Sequence, residues 1–276
     1  MPPRFFCSHL PAANLSAPAP GSAPAPGTAP GISSGHAIGL GADRPGYVFC
    51  ILGPEETRHA RKVLRLSVGD PIEVFDGGGR LGDAEIVEYR QSKGVAETRC
   101  RVCAVREVPR ARPRLVVASA VPKGPRAEAM VNQLGQLGAD VFVPVQSARG
   151  VVEPGAGKVE RYEKAALASA KQSGRPWRMV IEPPTVLVDL LGRSQDGVRL
   201  ILDPRGGAIP ALGDRLASAD EVIVLVGPEG GWTDEELADA EAAGFVRWRM
   251  AEHVLRIEAA ATAATAILRY VNRVDG

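Results

Sequence analysis

Five aliphatic residues in a row, Val222-Ile223-Val224-Leu225-Val226, run into Gly227-Pro228-Glu229-Gly230-Gly231-Trp232-Thr233. An unbroken β-branched and aliphatic run bounded by Gly-Pro reads as a strand buried on both faces. Such strands belong to parallel sheets covered by helices, where neither face meets water. Thr233-Asp234-Glu235-Glu236 then has the pattern of a capping box, in which Thr233 accepts from the third helical amide and Glu236 reaches back. The stretch predicts strand, glycine loop and helix in succession. In parallel sheets, ligands sit at the carboxyl ends of strands, where such loops lie. Glycines let the backbone approach a ligand closely and present bare N–H groups to it. Glu229 is the one ionisable residue inside the loop. An anion nest for a nucleotide or phosphate fits less well, because the Lys-Ser/Thr that follows a phosphate loop is missing.

A second anchor follows. A short strand is expected to end at Met250, and Ala251-Glu252-His253-Val254-Leu255-Arg256-Ile257-Glu258 leads into an alanine-rich run, Ala259 to Val271, without glycine or proline. That run predicts a buried helix. Upstream, Pro109 to Pro113 reads as a domain junction, and beyond it strands alternate with helices in the manner of a parallel α/β sheet. Strands are expected at 115–120, 141–145, 178–181 and 198–202. Helices are expected at 126–137, 158–173, 185–191 and 209–217. Asp203-Pro204-Arg205-Gly206-Gly207 reads as another loop at a strand's carboxyl end.

The first part of the chain has a different grain. Residues 46–108 carry short strands separated by turns, with a short helix over 55–66 and a hairpin turn at Asp76-Gly77-Gly78-Gly79, which suggests a small barrel. Arg4-Phe5-Phe6 opens a further strand. Residues 11–45, almost all Ala, Pro, Gly and Ser as far as 31, read as a flexible insertion. Residues 1–114 carry 15 Lys/Arg against 11 Asp/Glu, and eight of nine charges from Arg99 to Arg126 are basic. A basic band of this kind suits phosphate contacts. Cys100 and Cys103 would point to opposite faces of a strand, so reduced thiols of a cytoplasmic protein are the expected reading of the four cysteines. No apolar run is long enough to cross a membrane, and the N-terminus has no signal-like apolar core.

Leu225-Val226-Gly227-Pro228-Glu229-Gly230-Gly231 and Val254-Leu255-Arg256-Ile257-Glu258, as a pair at this spacing, resemble the bacterial 16S ribosomal RNA uridine-N3 methyltransferase family of the knotted SPOUT methyltransferases. Lys123-Gly124 with Glu128, Leu137-Gly138, Ser147-x-Arg149 and Gln172-Ser173-x-Arg175 continue the likeness in order. His59-x-x-Lys62-Val63-Leu64-Arg65-Leu66, Val68-Gly69-Asp70 and Phe75-Asp76-Gly77 resemble the family's PUA-like RNA-binding barrel. The resemblance implies an α/β fold in which residues 1–108 are the barrel and 109–276 a parallel-sheet SPOUT domain with a trefoil knot. This sequence departs from the family at Gln136 and Lys171, where Glu is usual, and at Ile257 and Ala259, which replace threonines flanking Glu258. The insertion at 11–45 is a further departure.

The activity implied is methylation of uracil N3 in 16S ribosomal RNA by S-adenosylmethionine, in a homodimer, without metal. Leu202, Asp203, Pro204, Gly227, Pro228, Glu229, Gly230, Gly231, Met250, Val254, Leu255 and Arg256 are the implied cofactor-binding residues. Uracil N3 carries a proton and is a poor nucleophile until that proton leaves, so a base or an anion-stabilising cation must stand near it. Arg256 is the first candidate for anion stabilisation, and Glu229 and Glu258 are candidates to orient it or relay a proton. Glu258 has a purely structural alternative at a helix N-terminus, and His253 reads better as a structural histidine than as a base. Arg4, Arg58, Arg61, Lys62, Arg65, Lys123, Arg149 and Arg175 are the candidate RNA contacts. A methyltransferase acting on another RNA base and a non-catalytic RNA-binding relative are the alternatives.

Overall fold

The two sequence patterns fold as separate bodies. The computed structural model describes residues 2–11, 48–151, 155–193, 197–209 and 212–274, so most of the Ala/Pro/Gly-rich insertion lies outside the described residues. The chain divides into two compact units, Met1–Val108 and Pro109–Gly276.

In the first unit, β1 (Arg4–Phe6), β2 (Val48–Leu52), β3 (Pro71–Phe75), β4 (Arg80–Ser92) and β5 (Val95–Glu107) form a sheet in the order β1-β3-β4-β5-β2. β1 runs parallel to β3 and the other pairs are antiparallel. Two register shifts between β4 and β5 break the ladder, and bulges of this kind bend and twist a hairpin. Phe5, Leu52, Val74, Ile86 and Val102 fill the core. Glu73 is buried there as well, and it is paired with both Arg4 and Arg106. Cys7, Cys50 and Cys100 are buried with them, while Cys103 is exposed on the other face of β5. A hydrogen bond to Cys100 and burial push the Cys50 thiol up to about 12, so it stays protonated and unreactive.

The helix expected over 55–66 is interrupted. α1 (Pro54–Arg58) passes into a π-helical turn, His59–Val63, in which the Leu64 amide reaches back five residues to the His59 carbonyl at 3.0 Å. Arg65 then adopts a left-handed conformation, φ +55°. Ala60 alone of this turn is buried, and residues 61–65 all face solvent.

In the second unit the strands are β6 (Arg114–Ser119), β7 (Val141–Gln146), β8 (Val180–Ile181), β9 (Thr185–Val186), β10 (Val198–Gly207), β11 (Glu221–Val226) and β12 (Val246–Trp248). The helices are α2 (Arg126–Leu137), α3 (Ala156–Ser173), α4 (Leu187–Leu191), α5 (Leu212–Ala217), α6 (Asp234–Ala242) and α7 (Ile257–Val274). The sheet order is β12-β10-β11-β6-β7-β8, with β9 also on β7, and every pairing is parallel. Val222, Val224 and Val226 of β11 pack with α2, α3, α5 and α7, while Ile223 and Leu225 pack with α4 and α6 on the opposite face. Small residues let helices come close: a Cβ at Gly135 of α2 would lie 2.0 Å from the Ser169 hydroxyl of α3.

Some expected boundaries shift. Residues 185–186 pair with β7 before α4 begins, α7 starts at Ile257, and β12 ends at Trp248 rather than Met250. The stretch Asp203–Gly207 is not a free loop: β10 continues through it, and Gly207 pairs with Trp248 after a register shift. The reason is a close approach, since a Cβ on Gly206 would lie 2.8 Å from the Arg247 backbone. Among the described residues no helix is long and apolar enough to cross a membrane.

One buried carboxylate ties the amino edge of this sheet together. Asp140 accepts from the Leu115 amide at 2.9 Å, from Arg175 at 3.4 Å and from Arg269 of α7. Arg175 and Arg269 also donate to the carbonyls of Gly135, Ala139, Gly138 and Pro113. Removing one partner of such a cluster leaves buried charge uncompensated, at a cost of about 3–5 kcal/mol. Asp140→Ala is expected to destabilise the protein by that order in urea unfolding. Glu85→Ala, which removes the half-exposed pair with Arg101, is expected to cost under about 1 kcal/mol.

Candidate functional site

β11 delivers the chain to the carboxyl edge of the sheet, where Pro228 to Gly231 make a turn closed by the Gly231 amide on the Pro228 carbonyl at 2.8 Å. Gly231 sits at φ +69°, a conformation that favours glycine. Both bonds of the capping box are present: the Glu236 amide donates to Thr233 Oγ1 at 3.0 Å, and the Thr233 amide donates to Glu236 Oε2 at 2.8 Å. The loop is also pinned from outside. Trp232 Nε1 donates to the Leu202 carbonyl of β10 at 3.1 Å. A Cβ at Gly227 would come within 2.9 Å of the Trp232 ring, so only glycine lets the indole lie there. Arg149 Nη1 donates to the carbonyls of Gly230 and Trp232, at 2.9 and 3.2 Å, and the Ala148 amide donates to Glu236 Oε1 at 2.7 Å.

The loop forms one wall of a cavity of about 470 Å³. Leu202, Asp203 and Pro204 form a second wall, and Met250, Val254 and Leu255 a third. Gly227, Pro228, Glu229, Gly230 and Gly231 all line the space. Arg256 does not: it is exposed just before α7, its carbonyl accepts from the Ala260 amide at 2.8 Å, and its side chain makes no hydrogen bond or ion pair among the described residues. Sequence reasoning missed Trp232, Trp248 and Ile257 as lining residues, since a large apolar side chain beside a buried strand reads first as core. Arg149, expected to face RNA, also lines the cavity.

Asp203 is committed to structure. Burial pushes its carboxyl up, but the Arg205 amide at 3.1 Å and the Arg247 guanidinium at 2.8 Å outweigh burial and hold it below the usual carboxylate range. Its side chain braces β10 against the chain at β12, and Leu202 spends a carbonyl lone pair on Trp232. Glu229 is exposed without a partner among the described residues. Glu258 accepts from Arg126 through Oε1 at 3.2 Å, while its Oε2 is buried and unpaired among the described residues. His253 is exposed at the cavity wall, which corrects its reading as a partly buried structural residue.

The basic band changes character in three dimensions. Arg101 pairs with Glu85, Arg106 with Glu73 and Asp83, Arg112 with Asp220, Arg114 with Glu221 and Arg126 with Glu258. Its local charge excess is largely neutralised by acids distant in sequence. Arg4 is taken up by buried Glu73, and Arg175 by Asp140 and two carbonyls, so neither side chain is available as an RNA contact. Arg58, Arg61, Lys62 and Arg65 are exposed together on and beside the π-helical turn, with no carboxylate partner among the described residues. Lys123 is exposed likewise.

Residues 109–269 match the RNA methyltransferase domain family, and residues 52–92 match the RNA methyltransferase PUA domain family. The chain is 30% identical over 222 residues to the ribosomal RNA small subunit methyltransferase E of Synechocystis, covering 79% of this chain and 70% of that protein. It is 30% identical over 222 residues to the enzyme of the same name from Mycobacterium bovis, covering 78% and 83%. A Legionella pneumophila protein described as a methyltransferase, solved with bound SAM, superimposes with a TM-score of 0.71 at 27% identity, over 83% of this chain and 94% of that one.

The packing of Gly227 on Trp232 gives a direct test. Gly227→Ala is expected to displace the indole and break its bond to Leu202, seen as a red shift of tryptophan emission and a lower melting temperature. Unchanged emission and stability would contradict the geometry.

Proposed function

The chain belongs to the RNA methyltransferase family, and on that premise we propose that it transfers the methyl group of S-adenosylmethionine to N3 of a uridine in 16S ribosomal RNA. The observation that carries the reading is the glycine-walled cavity at the carboxyl edge of the parallel sheet. Its volume falls in the range of about 300–1,000 Å³ usual for small-molecule sites. Its glycine wall offers backbone where a side chain would intrude: a Cβ on Gly227 meets Trp232, and one on Gly230 presses on Arg149 at 3.3 Å. Gly227 to Gly231, Leu202 to Pro204, and Met250 with Val254 and Leu255 would hold the cofactor. When bound, the cofactor supplies an electrophilic methyl group on a sulfonium.

That leaves the chain two tasks, in-line placement of the base and discharge of the N3 proton. Arg256 stands beside the cavity wall with an uncommitted guanidinium, suited to stabilise a uracil anion. Glu229, exposed in the loop, is suited to relay a proton. Glu258, held on one oxygen by Arg126, keeps the other for a donor brought by the substrate or by Arg256. The exposed cations Arg58, Arg61, Lys62 and Arg65, with Lys123 and Arg149, are assigned to RNA phosphate. The reading also takes the backbone around the cavity, which three separate chain segments share, as a trefoil knot. It places the enzyme in the cytoplasm, in ribosome biogenesis, as a homodimer. Val254, 77% exposed, and Tyr270, 70% exposed, support the dimer as apolar surface at and beside α7.

Purified protein with labelled S-adenosylmethionine and small subunits is expected to yield 3-methyluridine; transfer to a different base would contradict the assignment. Arg256→Ala is expected to lower turnover about a hundredfold, the usual loss for one preorganised charge donor, with cofactor affinity unchanged by calorimetry. Arg256→Lys should recover only part of the rate, because an ammonium lacks the planar fork. Sedimentation at micromolar concentration is expected to show a dimer that Val254→Glu weakens; a wild-type monomer would rule the dimer out.

A further inference from the structure

A second cavity, of about 360 Å³, opens at the same edge of the sheet. Residues 146–149 border both spaces: Arg149 lines the first, and Gln146, Ser147 and Ala148 line the second. α6 is shared in the same way, with Asp234 on the first cavity and Glu236 and Asp239 on the second. The far wall is aliphatic, made by Val186, Leu187, Val188 and Leu191 around the start of α4. Two of these side chains are left to solvent, Val186 at 46% and Val188 at 65% exposure. On the opposite wall the Ser147 hydroxyl is buried yet makes no hydrogen bond among the described residues. The Gln146 amide and the Asp239 carboxylate also have no partner there, whereas Glu236 is committed to the Ala148 and Thr233 amides.

We propose that this second cavity receives a nucleobase of the RNA substrate, one that flanks the methylated uridine and carries an exocyclic amine. The identity of the partner as RNA rests on the methyltransferase reading; the choice of base over other groups rests on the cavity itself. Among the described residues no lysine or arginine lines it and two carboxylates do, so phosphate is disfavoured. A ribose would set hydroxyls against valine and leucine. A base presents flat apolar faces to Val186 and Val188 and a polar edge to Gln146, Ser147 and Asp239. An apolar protein side chain would cover the aliphatic wall and leave the Ser147 hydroxyl unpaired, which is the unfavourable outcome for a buried polar group. The acceptors Asp239 and Gln146 Oε1 favour a base that donates from an amine, as adenine, guanine and cytosine do and uracil does not. Sequence-specific recognition of RNA works chiefly on such splayed, unstacked bases.

The test uses the full chain and a naked RNA spanning the nucleotide that the wild-type protein methylates, with affinity read by fluorescence anisotropy. Methyl transfer by the wild-type protein to that RNA reports separately on the methyltransferase reading. Val188→Asp, at an exposed position, is expected to weaken RNA binding about tenfold with S-adenosylmethionine affinity within twofold of wild type. Val188→Ile should bind as wild type, and Ser147→Ala should weaken binding in the same direction as Val188→Asp. An abasic residue at one flanking position should weaken wild-type binding by a similar factor and add nothing to Val188→Asp. The proposal is overturned if Val188→Asp binds naked RNA as wild type does. It is overturned equally if the variant and abasic losses multiply at every flanking position. A loss confined to intact subunits would also overturn it, and would point to a protein docking there instead.

Discussion

A loop that gives up its side chains so that a ligand can come close must take its rigidity from elsewhere. That constraint organises the second unit. Gly227, Gly230 and Gly231 have no side chain to anchor the loop, so Trp232 ties one end to the Leu202 carbonyl and Arg149 holds the Gly230 carbonyl. The capping box fixes the start of α6 just beyond. Each clamp comes from a different strand's exit: β10, β7 and β11. The site is therefore only as well formed as the parallel sheet that sets those exits side by side, and the Asp140 cluster at the opposite edge helps to fix that sheet.

Charge follows the same logic of long-range pairing. Most arginines between Arg99 and Arg126 meet acids far along the chain, among them Asp220, Glu221 and Glu258. Such pairs set geometry more than they add stability at exposed positions. Four cations without carboxylate partners among the described residues, Arg58, Arg61, Lys62 and Arg65, gather instead at and beside the π-helical turn, where a widened backbone turns residues 61–65 outward together. A surface of that kind attracts polyanions in a salt-dependent way.

The strand at 222–226, the glycine loop and the capping box were legible because each is a local pattern, set by period, turn chemistry and a three-residue spacing. The alternation of strands and helices beyond Pro113 was legible for the same reason. What sequence could not show was pairing across distance. Arg4 and Arg175 look like exposed cations until Glu73 and Asp140 are found beside them. Asp203 looks like a loop carboxylate until Arg247 meets it. The π-helical turn escaped notice because its residues have ordinary helical propensity, and only the hydrogen-bond register departs from it. The second cavity escaped too, since its walls come from three segments, 146–148, 186–191 and 236–239, that are far apart in sequence.

If the cavity walled by Gly227 to Gly231 serves methylation of uridine N3, this protein is what places 3-methyluridine in 16S ribosomal RNA. Nucleoside mass spectrometry of 16S ribosomal RNA from cells lacking this protein tests it most directly. 3-Methyluridine is expected to disappear from that RNA and to return when the intact chain is restored. Persistence of 3-methyluridine at its wild-type level in the deleted cells, with some other methylated base lost, would contradict it.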